Sequence, residues 1–219
     1  MPATPPLTIE FITQTLWSFP LNNVVDEISY IRFTDAVDEG SSVIEALCCP
    51  YISHPNHKDV QELMVVLHAI SRVVDDAVDI GLPEDRIRML KALPFIWNIA
   101  VRFQNMFPQK QSIIIKIIHV WCNGNNPSQD SIQNIGHKNT HLLLIEELLN
   151  NGKNRSILEK SLVPLQLVDE VEVFDLDEWK PLICDSSTLV SELRYKGFIE
   201  FAKLIQNNLI SLKRHIHVE

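Results

Sequence analysis

Apolar residues recur at intervals of three and four along almost the whole chain, which is the spacing of one face of an α-helix. Ile12 and Leu16 follow this rhythm near the start, and Phe201, Ile205 and Leu209 follow it near the end. Only 6 of the 219 residues are glycine, so neither a turn-rich β-barrel nor a glycine-rich phosphate-binding fold is expected. The sequence therefore predicts an all-α domain of about eight or nine helices.

Prolines and glycines divide this pattern into separate helices. Pro20 ends the first helix, and Gly40 separates the second helix from a short third one. Pro83 begins a long helix in which Pro94 predicts a kink, and Pro108 ends it. The expected helices cover residues 7–19, 24–36, 43–49, 60–78, 83–107, 113–121, 141–149, 157–167 and 187–210.

The segment over 113–121 contains five isoleucines and is apolar on nearly every side. Such a helix has no face for solvent, so we expect it to lie at the centre of the fold. The sequence Asn123-Gly124-Asn125-Asn126-Pro127 predicts a turn after it. Asn151-Gly152 predicts the end of the helix over 141–149.

We expect one domain over residues 1–219, a length that suits a single hydrophobic core. Residues 1–6 are predicted to be a flexible N-terminus. Between 168 and 183, apolar and acidic residues alternate before the last long helix. This irregular acidic segment is interpreted either as one short strand or as an extended stretch packed on the helices.

The charge balance is acidic, with 19 Lys and Arg against 28 Asp and Glu and a formal net charge of −9. Non-specific binding to nucleic acid depends on clustered Lys and Arg, so direct contact with nucleic acid is not expected. Cys48, Cys49, Cys122 and Cys184 lack the spacing of a disulfide framework, and we find no signal peptide or membrane-spanning run. These features predict a protein of the cytosol or nucleus that is not embedded in a membrane.

The sequence Asp75-Asp76-Ala77-Val78-Asp79 matches the DDxxD pattern that binds magnesium diphosphate in helical prenyl-transferring enzymes. Three carboxylates on one helix turn suit a hard cation that prefers oxygen ligands. The second acidic cluster and the basic residues that such enzymes need are missing. We therefore interpret the pattern as a solvated acidic helix end, and no enzymatic activity is expected.

Cys48, Cys49, His54 and His57 lie within ten residues of one another. Thiolate and imidazole are preferred ligands of zinc, but a structural site normally has two cysteines separated by two to four residues. One interpretation is that the cysteines are buried at a helix end and the histidines face solvent. The other is that one or two of these residues complete a zinc site together with a partner chain.

The sequence offers no nucleophilic motif such as G-x-S-x-G, and His119 is interpreted as a hydrogen-bonded core histidine. What remains is a helical domain that is 46% hydrophobic, acidic and without a recognisable active site. Short peptides bind in apolar grooves between such helices. The composition therefore favours an oligomerising or peptide-binding scaffold.

A characteristic order of elements runs through residues 58–165. The segment Ile70-Ser71-Arg72-Val73-Val74 leads into an acidic stretch, and a long helix containing Ile96-Trp97 follows. The apolar helix and turn over Ile117–Asn125 come next. In this order the chain resembles the telomere-repeat-factor homology (TRFH) domain, which is all-helical.

The resemblance implies a homodimer formed by the first and last helices of the domain. It also implies a groove for a partner peptide beside the acidic stretch and the start of the long helix. Part of this group binds a zinc ion between two chains. The resemblance therefore implies that His54 and His57 are candidate ligands that this chain contributes. The expected dimerisation residues are Phe11, Leu16, Leu193 and Phe201, and the expected partner-binding residues are Ile80, Leu82, Ile87, Leu90 and Phe95.

Because no Myb-like DNA-binding module is present and the charge is acidic, the resemblance points to members of this family that do not bind DNA. Those members bridge the double-strand side and the single-strand side of the fission-yeast shelterin complex at telomeres in the nucleus. The implied partners are peptide segments of Rap-type and Tpz-type telomere proteins, and the implied role is telomere length control. The alternative is a helical adaptor that binds disordered tails in another nuclear or cytosolic assembly.

Overall fold

The computed structural model describes residues 6–18, 23–79, 83–122, 137–161 and 186–216. These ranges contain nine α-helices, two short 3₁₀ turns and no strand, which confirms the all-α prediction. The predicted turn over 123–127, the acidic segment over 168–183 and nearly all of the predicted N-terminal tail lie outside the described residues. The helices are α1 (Ile9–Leu16), α2 (Asn23–Cys48), α3 (His57–Asp79), α4 (Pro83–Met106), α5 (Gln111–Cys122), α6 (His137–Asn150), α7 (155–161), α8 (Ser186–Tyr195) and α9 (Ile199–Ile216), and the 3₁₀ turns cover Cys49–Tyr51 and Pro108–Lys110.

The central helix is α3, which packs against α2, α4 and α6. From Leu63 to Ser71 only Val65 is partly exposed, and this stretch contains no Asp, Glu, Lys or Arg. The prediction that the helix over 113–121 lies at the centre, buried on every side, is wrong. Among the α5 side chains that the structure describes, Ile114 is fully buried but Ile115 is 51% exposed, so the helix, which packs against α4 and α6, is not buried all round.

Helix α2 runs without interruption from Asn23 to Cys48, so the predicted break at Gly40 is wrong. Gly40 belongs to the buried stripe of α2, together with Phe33, Ala36, Ile44 and Leu47. A Cβ atom at this position would lie 2.6 Å from Cδ2 of His68 on α3. The close approach of the two helices requires a residue without a side chain here. Glycine is therefore present at this position, although it is unfavourable in the interior of a helix.

The predicted last helix over 187–210 is two helices, α8 and α9, separated at Lys196-Gly197-Phe198. Gly197 has φ of +89°, a left-handed conformation that favours glycine. The Phe198 N–H donates to Leu193 O at 2.9 Å, and the Gly197 N–H donates to Arg194 O at 3.0 Å. These two bonds form a Schellman cap, and the buried Leu193 and Phe198 side chains supply the apolar contact that accompanies it.

Several other predicted boundaries are confirmed. Pro83 begins α4; Pro94 lies inside that helix, and the kink expected there stays a prediction. Helix α6 ends at Asn150, where Asn151 and Gly152 adopt φ of 56° and 72°. The spacing of apolar residues does not mark the N-cap of α1, where the Thr8 hydroxyl oxygen accepts from the Phe11 N–H at 3.2 Å.

We predict that Gly40→Ala destabilises the protein, although alanine normally favours a helix interior by about 0.5–1 kcal/mol over glycine. The added methyl group overlaps the buried His68 ring, so the expected net loss is about 1–3 kcal/mol. Urea unfolding followed by circular dichroism measures this loss. Ser42→Ala, at an exposed position of the same helix, is the matched control and should change stability by only a few tenths of a kcal/mol. A Gly40→Ala variant as stable as the wild type would contradict the close contact.

Candidate docking face

Helix α4 carries apolar residues on two of its faces. The inner face packs into the core and consists of Ala92, Phe95, Ile96, Ile99, Ala100 and Phe103, all buried. The outer face carries a second apolar set that points to solvent. We call this set the α4 outer row; it consists of Ile87, Leu90, Pro94, Trp97 and Val101, all classed as exposed.

The α4 outer row is a continuous seam along the helix. Its members are spaced by three, four, three and four residues, the spacing at which one helix presents knobs to a second helix. From Ile87 to Val101 the row extends about 21 Å at 1.5 Å per residue. Leu90 is 62% exposed and Trp97 is 60% exposed. Large apolar side chains aligned on a surface in this way mark a protein interaction site.

A buried arginine holds the first half of α4 in place. Arg88 is 2% exposed, its Nη1 donates to Ser29 Oγ on α2, and its guanidinium lies 4.7 Å from the centre of the Trp17 ring. Trp17 in turn packs against Phe33 with ring centroids 5.0 Å apart. A cation over an aromatic face is attractive, so Arg88 ties α4 to α2 and to the end of α1. Sequence spacing could not find this residue, because an arginine in an amphipathic helix is normally exposed.

The predicted partner-binding residues do not all lie on one surface. Ile87 and Leu90 belong to the α4 outer row. Phe95 lies on the inner face, 4% exposed, and packs edge-on against Phe11 of α1 with ring centroids 6.2 Å apart. Ile80 and Leu82 lie outside the described residues.

The predicted dimerisation residues are mostly interior in the single chain. Leu16, Leu193 and Phe201 are buried in the core, and Phe11 is half-buried against Phe95. On α9 the side chains that solvent reaches include Ile199 and Ile210. Dimerisation through α1, α8 and α9 stays a prediction, and these two exposed isoleucines are among the apolar groups that a second chain would meet on the described part of α9.

The candidate zinc ligands cluster around the 3₁₀ turn after α2. Cys48 is fully buried, and burial, with a smaller contribution from Cys49, raises the pKa of its thiol to about 12. Zinc binds the thiolate, so a metal ion bound at Cys48 would have to displace a proton that burial holds on the thiol. Cys49 is exposed.

The two histidines of this cluster lie at the entry to α3, His54 on the preceding loop and His57 at the start of the helix. The His54 ring packs against Phe107 with centroids 6.1 Å apart, and its Nδ1 accepts from the Asn56 N–H at 3.1 Å, which leaves Nε2 as the other possible ligand atom. His57 is the first residue of α3. Over the described ranges, no group of three or more His, Cys, Asp or Glu side chains is placed to hold a metal ion. A zinc ion bound through His54 and His57 would therefore need further ligands from outside this described set, and their source stays a prediction.

A buried carboxylate lies beside this region. Glu146 of α6 is fully buried and accepts from Tyr51 Oη, from Asn150 Nδ2 at 2.9 Å and from the Asn154 backbone N–H at 2.6 Å. Nearby, the ammonium group of Lys110 donates to the Glu147 carbonyl oxygen, and burial lowers the pKa of Lys110. The network joins the turn after α2 to the end of α6, so its role is to fix these elements rather than to bind a ligand.

Asp75, Asp76 and Asp79 lie in the last two turns of α3, and their side chains are outside the described set. No described helix combines the length and the apolar character that crossing a bilayer requires. Comparisons with protein-family models, with curated proteins and with solved structures found no match. The α4 outer row is thus the feature of the described structure that points most directly to a function.

We predict that Tyr51→Phe destabilises the protein by about 1–3 kcal/mol at neutral pH, because the buried Glu146 carboxylate loses one of its donors. Burial and the bond to Glu146 raise the pKa of Tyr51 well above its ordinary value of 10.0. Above pH 10, the folded protein therefore keeps the Tyr51 proton, whereas the unfolded chain releases it. The stabilisation is fully present below pH 10 and is lost as the pH rises further.

The stability difference between the wild type and Tyr51→Phe should therefore narrow above about pH 10. Urea unfolding at a series of pH values measures it. Tyr195→Phe, at a side chain 92% exposed, should show no difference at any pH. A constant difference between wild type and Tyr51→Phe would contradict the assigned network.

Proposed function

We propose that this chain is a non-enzymatic scaffold that binds short segments of two partner proteins. The observation that carries the proposal is the α4 outer row, four large apolar side chains and a proline exposed along one helix. The inner face of the same helix is anchored in the core, so the row is held rigid before a partner arrives. A preformed surface reduces the ordering cost of binding.

The identity of the partners comes from the order of sequence elements that resembles the TRFH domain. On that basis we propose that the chain bridges Rap-type proteins on the double-strand side of the telomere and Tpz-type proteins on the single-strand side, in the nucleus. Such a bridge contributes to telomere length control. Direct contact with nucleic acid or with a membrane is not part of the proposal.

Bridging needs two separate docking surfaces on one rigid body. A second exposed apolar patch lies on α2, where Ile28 and Ile31 are each about half exposed. Helices α2 and α4 pack against α3, so the two surfaces are fixed relative to each other. A homodimer would add avidity by raising the effective concentration of each site.

The α4 outer row predicts the effect of Leu90→Glu. Placing a carboxylate in the middle of the row should weaken binding of the peptide that uses this row about tenfold or more. The substitution should not unfold the protein, because Leu90 is already exposed. The measurement is a titration of the purified protein with labelled segments of Rap-type and Tpz-type proteins, separately and together. Ile115→Glu is the matched control, since Ile115 is an isoleucine 51% exposed and lies on α5, outside the proposed docking surfaces.

Simultaneous saturable binding of the two segments would support the bridge. If neither segment binds to a folded sample, the telomere assignment is wrong. The alternative, a helical adaptor for disordered tails of another assembly, would then be the remaining candidate.

The zinc hypothesis has a test of its own. If His54 and His57 complete a zinc site with the Tpz-type partner, a chelator should weaken binding of that segment and leave the Rap-type segment unaffected. The double variant His54→Ala/His57→Ala should reproduce the effect, and elemental analysis of the purified complex should show that zinc is lost. Undiminished zinc in the complex of the double variant would exclude these histidines as ligands.

A further inference from the structure

We propose that the α4 outer row binds an acidic amphipathic helix of a partner protein. The inference rests on the proposed function, in which this row is a docking face, and it adds the chemistry of the segment that docks. It is carried by the distribution of charge along α4, which differs from that of the chain as a whole.

Residues 86–106 of α4 contain four basic side chains and no Asp or Glu, although the whole chain has a net charge of −9. Arg88 is buried and belongs to the anchor described above. Arg86 and Arg102 are exposed, and each lies next to one end of the row, beside Ile87 and Val101. Glu84 and Asp85 directly precede this stretch in the sequence.

The dimensions match a partner helix of ordinary length. Arg86 and Arg102 are sixteen residues apart, which is about 24 Å along the helix axis. A partner helix of about 16 residues with an apolar seam would cover the row and bring its two ends to the two arginines. Carboxylates at those ends would pair with the guanidinium groups, and acidic charge along the flanks would favour encounter with this face over the acidic remainder of the surface.

A second copy of this chain fits the row less well. If the α4 helices of two copies packed antiparallel about a two-fold axis, Arg86 of one copy would face Arg102 of the other, and like charges would oppose each other. The α2 patch of a second copy does carry acidic neighbours, Glu27 and Asp35. The two isoleucines of the α2 patch, however, lie only three residues apart, which is about 4.5 Å along the helix axis. They therefore cover only a small part of the row, which extends about 21 Å.

The experiment uses two synthetic helical peptides of about 18 residues with the same leucine seam. One peptide carries glutamate at the flanking positions and the other carries lysine. We expect the glutamate peptide to bind the full-length protein about tenfold more tightly in fluorescence anisotropy, and we expect the difference to shrink as salt screens the charges. Leu90→Glu and Trp97→Glu should each weaken the binding of both peptides.

The double variant Arg86→Glu/Arg102→Glu should reverse the preference, so that the lysine peptide binds more tightly. Lys153→Glu/Lys160→Glu is the matched control, since it changes net charge equally at two exposed lysines outside α4 and should preserve the preference. Equal binding of the two peptides, or a preference unchanged by Arg86→Glu/Arg102→Glu, would overturn the inference.

Such a result leaves the Rap-type and Tpz-type titration to decide the proposed function separately. Sedimentation of the protein alone tests the other possible occupant of the row, which is a second copy of this chain. A dimer that Leu90→Glu converts to a monomer would assign the row to a second copy and would likewise overturn the inference.

Discussion

The close contact between α2 and α3 at Gly40 and His68 is the constraint on which the arrangement of the long helices depends. Helix α3 is buried through its middle and packs against three other helices, so the distance at which α2 approaches it determines where the rest of α2 lies. Ser29, one end of the bond that holds Arg88, is eleven residues before Gly40 on the same helix. The absence of one side chain in α2 thus affects the orientation of α4 through a short series of contacts.

The two faces of α4 follow from that position. Phe95, Ile96 and Phe103 supply the burial that stabilises the helix against the core. Since these contacts and the Arg88 anchor already hold the helix, the opposite face does not need its apolar side chains for folding. An exposed leucine and tryptophan contribute little to the stability of a single chain, whereas they contribute strongly to association. The difference between the two faces of α4 is consistent with a role of the outer face in binding a partner.

The sequence predicted the helical class, the start of α4 at Pro83 and the end of α6 just before Asn151-Gly152, because these depend on local backbone chemistry. It predicted a break at Gly40, where packing against His68 decides the outcome, and it missed the break at Gly197, where one left-handed residue ends a helix within a continuous apolar pattern. The identity of the central helix was also missed, since five isoleucines indicate apolar character but not which neighbours a helix meets. Arg88 and Glu146, polar residues buried by tertiary contacts, had no signal in the spacing. The exposed row on α4 was predicted only in its first two residues, Ile87 and Leu90, because exposure of Trp97 depends on which face the core selects.

The contact of the last described helix with the second one has a consequence for how the protein is made. Helix α9 packs against α2, and the ring of Phe198 lies against Tyr51 with centroids 5.9 Å apart. On the ribosome, α2 and the turn after it emerge long before Phe198 does. The part of their apolar surface that α9 covers stays open until α9 has been made, and until then it is exposed to aggregation or to chaperones. This part of the core therefore closes only after α9 has been made, through contacts between elements that lie far apart in the sequence.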